Sequence, residues 1–126
     1  VEEDTRAFNV VMQALGMPKN TEEEKAARQR KMEEGSKAAN VVPLSVLERV
    51  PKLLRLAATA AEKGNVNATS DAATAGSLAF AAAEGAYFNF LINLKGISDK
   101  NYVSETLWKA KNGLQEAIAE KEKNSG

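Results

Sequence analysis

Residues Ala72–Leu94 read AATAGSLAFAAAEGAYFNFLINL, and this stretch decides the fold. Glu84 is its one charge, and eight of its 23 residues are alanine. Alanine is the strongest helix former, and a helix without a polar face in a chain that is 27% charged overall is one that neighbours cover. At ~1.5 Å per residue the stretch is long enough to cross a bilayer. Thr74, Ser77, Glu84, Asn89 and Asn93 argue against that, because each is costly in lipid and alanine offers little in return. The expectation is a buried, Ala/Gly-rich central helix in an all-α bundle. Gly76 and Gly85 each weaken a helix interior by ~1 kcal/mol, so they predict places where another backbone or a ligand comes very close.

Upstream, Asn65–Asp71 reads NVNATSD. Such side chains bond nearby backbone at turns and caps, so Thr69 or Ser70 is expected to cap the central helix. Before it, Leu44, Leu47, Val50, Leu54, Ala57, Ala58 and Ala61 repeat at helical spacing up to a stop at Gly64. Pro51 is expected to bend that helix, and Pro43 to mark its start or a kink. Thr21-Glu22-Glu23-Glu24 fits a capping box and opens a helix so charged that it belongs at the edge of the bundle. The first helix runs from Glu2 to Leu15 with Ala7, Val11, Ala14 and Leu15 inward, and Gly16 and Pro18 end it. Downstream, Gly96 closes the central helix. Ser98 starts the last one, whose apolar face is Tyr102, Val103, Leu107, Leu114, Ala117 and Ile118, with Trp108 as an anchor beside it. The whole is a single helical domain over residues 1–126, with about five helices.

The chain balances 17 Lys plus Arg against 17 Asp plus Glu. Zero net charge removes a general electrostatic grip on nucleic acid or on an anionic membrane. Without cysteine there is no disulfide, thiolate metal site or Cys nucleophile, and without histidine no His triad or imidazole acid/base. Catalysis would fall to carboxylates, Lys, Tyr, amides, hydroxyls and backbone groups, with no metal site expected. Val1 is followed by no basic and apolar leader, so no signal peptide is expected and the expected compartment is the cytoplasm. A first residue other than Met suggests processing or truncation.

Two constellations carry possible chemistry. Gly85, Asn89 and Asn93 are spaced four apart and share a helix face. Two amides beside a glycine gap either read the amide-like edge of a flat heterocycle or bond neighbouring helices and partner subunits. Asp71, preceded by Asn65, Asn67 and Ser70, either belongs to a helix start that stabilises negative charge or simply caps it. Asp4 opens the first helix, where a carboxylate is ordinarily a partner of the helix dipole. Lys19, Lys25, Arg28, Arg30 and Lys31 are interleaved with glutamates and read as a solvated face.

Longer pieces are familiar. EEDTRAFNVVMQALGMPKNTEEEKAAR (Glu2–Arg28), VPLSVLE (Val42–Glu48), EKGNVNATSDAATA (Glu62–Ala75) and GAYFNFLINLKGISD (Gly85–Asp99) resemble, in order and spacing, the formiminotransferase–cyclodeaminase family. That family also contains bacterial methenyltetrahydrofolate cyclohydrolases, and the resemblance extends to about Leu114. It implies an all-helical, dimeric protein acting on the C–N bonds of formimino- or methenyltetrahydrofolate, with no tightly bound cofactor and the tetrahydrofolate derivative as substrate. It implies Asp4 and Asp71 as candidate acid/base groups, and Asn65, Asn67, Ser70, Gly85, Asn89 and Asn93 as candidate substrate contacts.

One departure stands out. The proline- and glycine-rich opening motif of the family, and the long Ala-rich helix after it, have no counterpart here. The chain resembles the C-terminal part of the family domain, and is expected to form a homo-oligomer or to pair with a missing N-terminal segment. Cyclodeaminase and cyclohydrolase are equally compatible with the shared residues. The alternative function is a non-catalytic helical assembly domain that pairs with another chain.

Overall fold

The computed structural model describes residues 2–125, and the side chains of residues 5–123. Five helices follow one another: α1 (Glu2–Leu15), α2 (Glu22–Ala39), α3 (Val41–Lys63), α4 (Val66–Leu94) and α5 (Lys100–Ser125). No helix is long and apolar enough to cross a membrane among the described residues.

The core lies where α3, α4 and α5 meet. Leu47, Val50 and Leu54 of α3 pack with Ala83, Ala86 and Phe90 of α4 and with Ala110 and Ala117 of α5. Pro51 sits inside α3 without ending it. Proline has no N–H, so the carbonyl of Leu47, four residues earlier, receives no helical hydrogen bond from it. Gly113 of α5 lies directly against that carbonyl: a Cβ at residue 113 would stand 2.6 Å from the Leu47 oxygen. The proline frees the acceptor, and the missing side chain lets a second backbone settle on it.

α1 and α2 form a hairpin on one side of this core. Ala7, Val10 and Ala14 are the buried stripe of α1, and Gly35 and Ala38 that of α2. A Cβ at Gly35 would come within 2.7 Å of Val11 Cγ2, so the two helices touch there. The Arg28 Nε donates to the Ala14 carbonyl at 3.2 Å and satisfies an acceptor at the end of α1. Thr21 caps α2 as expected, its hydroxyl accepting from the Glu24 N–H at 3.1 Å.

Several local expectations are corrected. The cap of α4 is neither Thr69 nor Ser70. It is Asn65, whose Oδ1 accepts from the Ala68 N–H at 2.9 Å, so the helix begins at Val66. The last helix is capped not by Ser98 but by Asp99, whose Oδ1 accepts from the Tyr102 N–H at 3.1 Å. Trp108 anchors nothing: it is exposed, as are Leu15 and Ile118. The largest difference concerns α4, which is covered on one side only. Leu78, Phe88 and Ile92 remain 67%, 62% and 61% exposed, and α3 is likewise one-sided, burying Leu47, Val50, Pro51 and Leu54 while Leu53 and Leu56 stay exposed.

Candidate functional site

α4 buries Ala83, Ala86 and Phe90. At 3.6 residues per turn the opposite face carries Asn67, Asp71, Thr74, Leu78, Ala81, Gly85, Asn89 and Ile92, and all of these are exposed. Four of the expected site residues, Asn67, Asp71, Gly85 and Asn89, thus share one outward face. Ser70 lies at its margin and is exposed as well. The expectation that Gly85 marks a close approach is corrected within this chain, because a Cβ at that position would meet nothing within 4 Å.

The same face separates its own polar groups. Asp71 and Asn89 are 18 residues apart, about 27 Å along the helix axis. A single flat ring does not bridge that distance, so the chain by itself does not assemble these residues into one pocket. The helix start also moves away from Asp71. With Asn65 as cap, Asp71 falls in the second turn, and the free N–H groups of the helix start lie one turn before it. Asn65 itself is in part structural, since its side-chain oxygen is engaged in the cap. The side chain of Asp4 lies outside the described residues. Among the described residues, no group of three or more carboxylates is gathered closely enough to hold a metal ion.

Asn93 differs from the others. It is half-buried, and its Nδ2 donates to Oδ1 of Asn40 at 3.1 Å. Asn40 closes α2 and precedes α3, is wholly enclosed, and caps α3 with no side-chain bond. Around this amide pair, α2 is fastened to the α4–α5 turn. Glu33 accepts from both the N–H and the hydroxyl of Ser98. Lys37 pairs with Asp99 at 2.7 Å and lies 5.1 Å from the centre of the Tyr102 ring.

The charges respond to these contacts. The Ser98 donors hold the Glu33 carboxyl below the usual carboxylate range. The Lys37 ammonium does the same for Asp99, helped by the Tyr102 N–H, and Lys37 is raised in turn by that hydrogen bond. Burial pushes the Tyr102 hydroxyl up, against smaller opposing pulls from the Asn40 amide and Lys37. Sequence spacing gave no sign of this cluster, because Asn40 and Asn93 are separated by 53 residues.

Beside the outer face, a groove of about 520 Å³ runs between α3 and α4, lined by Val42, Val46, Arg49, Leu53, Ala79 and Ala82 among others. Leu53 borders it, and Leu78, Phe88 and Ile92 stay exposed on α4.

The model of one protein family, described as formiminotransferase-cyclodeaminase, matches residues 1–112. The chain belongs to this family. It is 42% identical over 119 residues to the methenyltetrahydrofolate cyclohydrolase of Methylorubrum extorquens, covering 94% of this chain and 57% of that protein. It is 38% identical over 117 residues to the formimidoyltransferase-cyclodeaminase of Gallus gallus, of which it covers 22%. The fold matches the crystal structure of formiminotetrahydrofolate cyclodeaminase from Thermotoga maritima with a TM-score of 0.78 and 28% identity, over 97% of this chain and 57% of that one. Members of both named activities are thus similar to this chain, which spans little more than half the length of the cyclohydrolase and of the solved cyclodeaminase.

Proposed function

We propose that this chain supplies a folate-binding face to an enzyme acting on the C–N bonds of formimino- or methenyltetrahydrofolate, and that a second copy closes the site. The observation that carries the reading is the outer face of α4, where Asp71, Gly85 and Asn89 look outward together from a family member's longest helix.

The separation of Asp71 from Asn89 is what favours a second copy. If two α4 helices cross antiparallel about a two-fold axis near Ala81 and Ala82, each copy's Asp71 end meets the Asn89–Asn93 end of its partner. Such a contact is self-complementary, with residue i meeting residue j at both ends. It also sets Leu78 of one copy over the open space at Gly85 of the other, which gives the glycine the close neighbour it lacks within the chain.

In that arrangement Asn89 and Asn93 orient the pterin through amide donors and acceptors. Asp71 moves the proton. For a cyclohydrolase, water adds to the methenyl carbon and its proton passes to the Asp71 carboxylate. The tetrahedral carbon then collapses with cleavage of one C–N bond, whose electron pair returns to nitrogen. For a cyclodeaminase, ring closure at the formimino carbon expels ammonia, and the same carboxyl delivers the proton the leaving group needs.

The test is turnover of both substrates by the intact oligomer, with methenyltetrahydrofolate hydrolysis followed by absorbance and ammonia release measured separately. Asp71→Asn is expected to lower the operating activity ~10²–10⁴-fold with folding intact. Loss of less than a few-fold in both assays removes Asp71 from the mechanism.

A further inference from the structure

The geometry points to Asn40 as a positioning residue that fixes the Asn93 amide so that it reads the lactam edge of a pterin-like ring. The inference rests on the proposed folate reading, and extends it to a residue that touches no substrate.

The argument starts from an imbalance. Asn40 is 0% exposed, yet its Nδ2 has no hydrogen-bond partner among the described residues. The Tyr102 hydroxyl lies close enough to that amide to be pulled by it, but makes no full hydrogen bond with Nδ2. A buried donor left unpaired is costly, and such groups are rare in native interiors. The backbone gives no reason for the residue: Asn40 has ordinary right-handed helical angles, φ −84° and ψ −8°, and its side chain caps neither adjoining helix. Leucine has the same branching and the same number of side-chain heavy atoms, with no donor to orphan. The amide's single bond is the one to Asn93.

That bond decides what Asn93 presents. One N–H of Asn93 is held by the Asn40 oxygen, which leaves its carbonyl oxygen and its second N–H. An acceptor and a donor side by side in one plane match the N–H and C=O of a lactam. Without Asn40, the Asn93 amide is free to turn over, and the two patterns become equivalent. Lys37, Asp99, Glu33 and Ser98 hold α2 against the α4–α5 turn and so keep Asn40 in register with Asn93.

The experiment measures calorimetric binding of 5-formyltetrahydrofolate, a stable 4-oxo pterin, and of a 4-amino-4-deoxy analogue that lacks the lactam. Wild type, Asn40→Leu and Asn40→Ser are compared, each with a thermal midpoint. The expected result is preference for the 4-oxo ligand in wild type. Asn40→Leu should weaken that ligand at least about tenfold and erase the preference while the variant still melts cooperatively. Asn40→Ser, which retains an acceptor, should recover part of the preference. A merely structural Asn40 gives the reverse: a lowered midpoint with the ligand preference unchanged, and that outcome overturns the inference. If wild type binds neither ligand, the folate reading itself falls and the positioning role with it. If wild type binds both ligands equally, the lactam assignment alone is overturned.

Discussion

Gly85→Leu should move stability and assembly in opposite directions. A side chain at residue 85 meets nothing within 4 Å in the single chain, so the isolated fold loses only the penalty of a mid-helix glycine. That replacement stabilises the monomer by about 0.5–1 kcal/mol, a rise of roughly 2–5 °C in its thermal midpoint at this chain length. In the antiparallel pair proposed above, the space at Gly85 would take the partner's Leu78. Leu78 is 67% exposed in the single chain. Burying the remainder of two leucines stabilises the pair by about 2–4 kcal/mol. Displacing both should weaken the association about 30- to 1,000-fold. Sedimentation velocity over a dilution series reads the association, and a melt at the most dilute point reads the monomer. An unchanged association constant, with or without the rise in midpoint, refutes the proposed crossing of the two helices.

Three further outcomes follow from the packing and the charges. Gly113→Ala places a methyl group 2.6 Å from the Leu47 carbonyl, a backbone atom that yields little, so it should cost about 1–3 kcal/mol in a urea titration. Gly35→Ala, whose one severe contact is with the Val11 methyl at 2.7 Å rather than with backbone, should cost clearly less in the same titration. Glu33 and Asp99 have lowered folded pKa values, so their contribution is complete at neutral pH and is lost as the pH falls below about 4. Lys37, raised above its ordinary 10.5, loses its contribution only as the pH climbs past that value. Asp99→Asn should therefore flatten the acid limb of the midpoint–pH curve, and parallel curves for variant and wild type would contradict the latch.

Much of the fold was legible from local chemistry. Thr21 with its glutamates, the Gly16–Pro18 stop, and the apolar repeat through Leu47, Val50 and Leu54 each act over a few residues, and each appears where spacing put it. NVNATSD and ISDK each offer more than one capping side chain, and only the backbone path selects Asn65 and Asp99 among them. The full burial of α4 failed for a different reason. A helix apolar all round must be covered by something, but its sequence does not say that the cover belongs to the same chain. The candidate site shared that fate. Asp71 and Asn89 were recognised as residue types on one helix, yet the distance between them is a property of helix length, and the Asn40–Asn93 pair is a long-range contact with no periodic signature.

The most direct test of a site shared between two copies is mixing two disabled chains. Asp71→Asn and Asn89→Ala each remove one end of the α4 face, and each alone should show little turnover of whichever substrate, formimino- or methenyltetrahydrofolate, the wild type converts. Co-refolded in equal amounts, half of the pairs are hybrids, and each hybrid retains one site with both ends intact. The account predicts recovery of about one quarter of wild-type activity. Activity that stays at the level of the separate variants, while sedimentation shows that hybrids have formed, contradicts it.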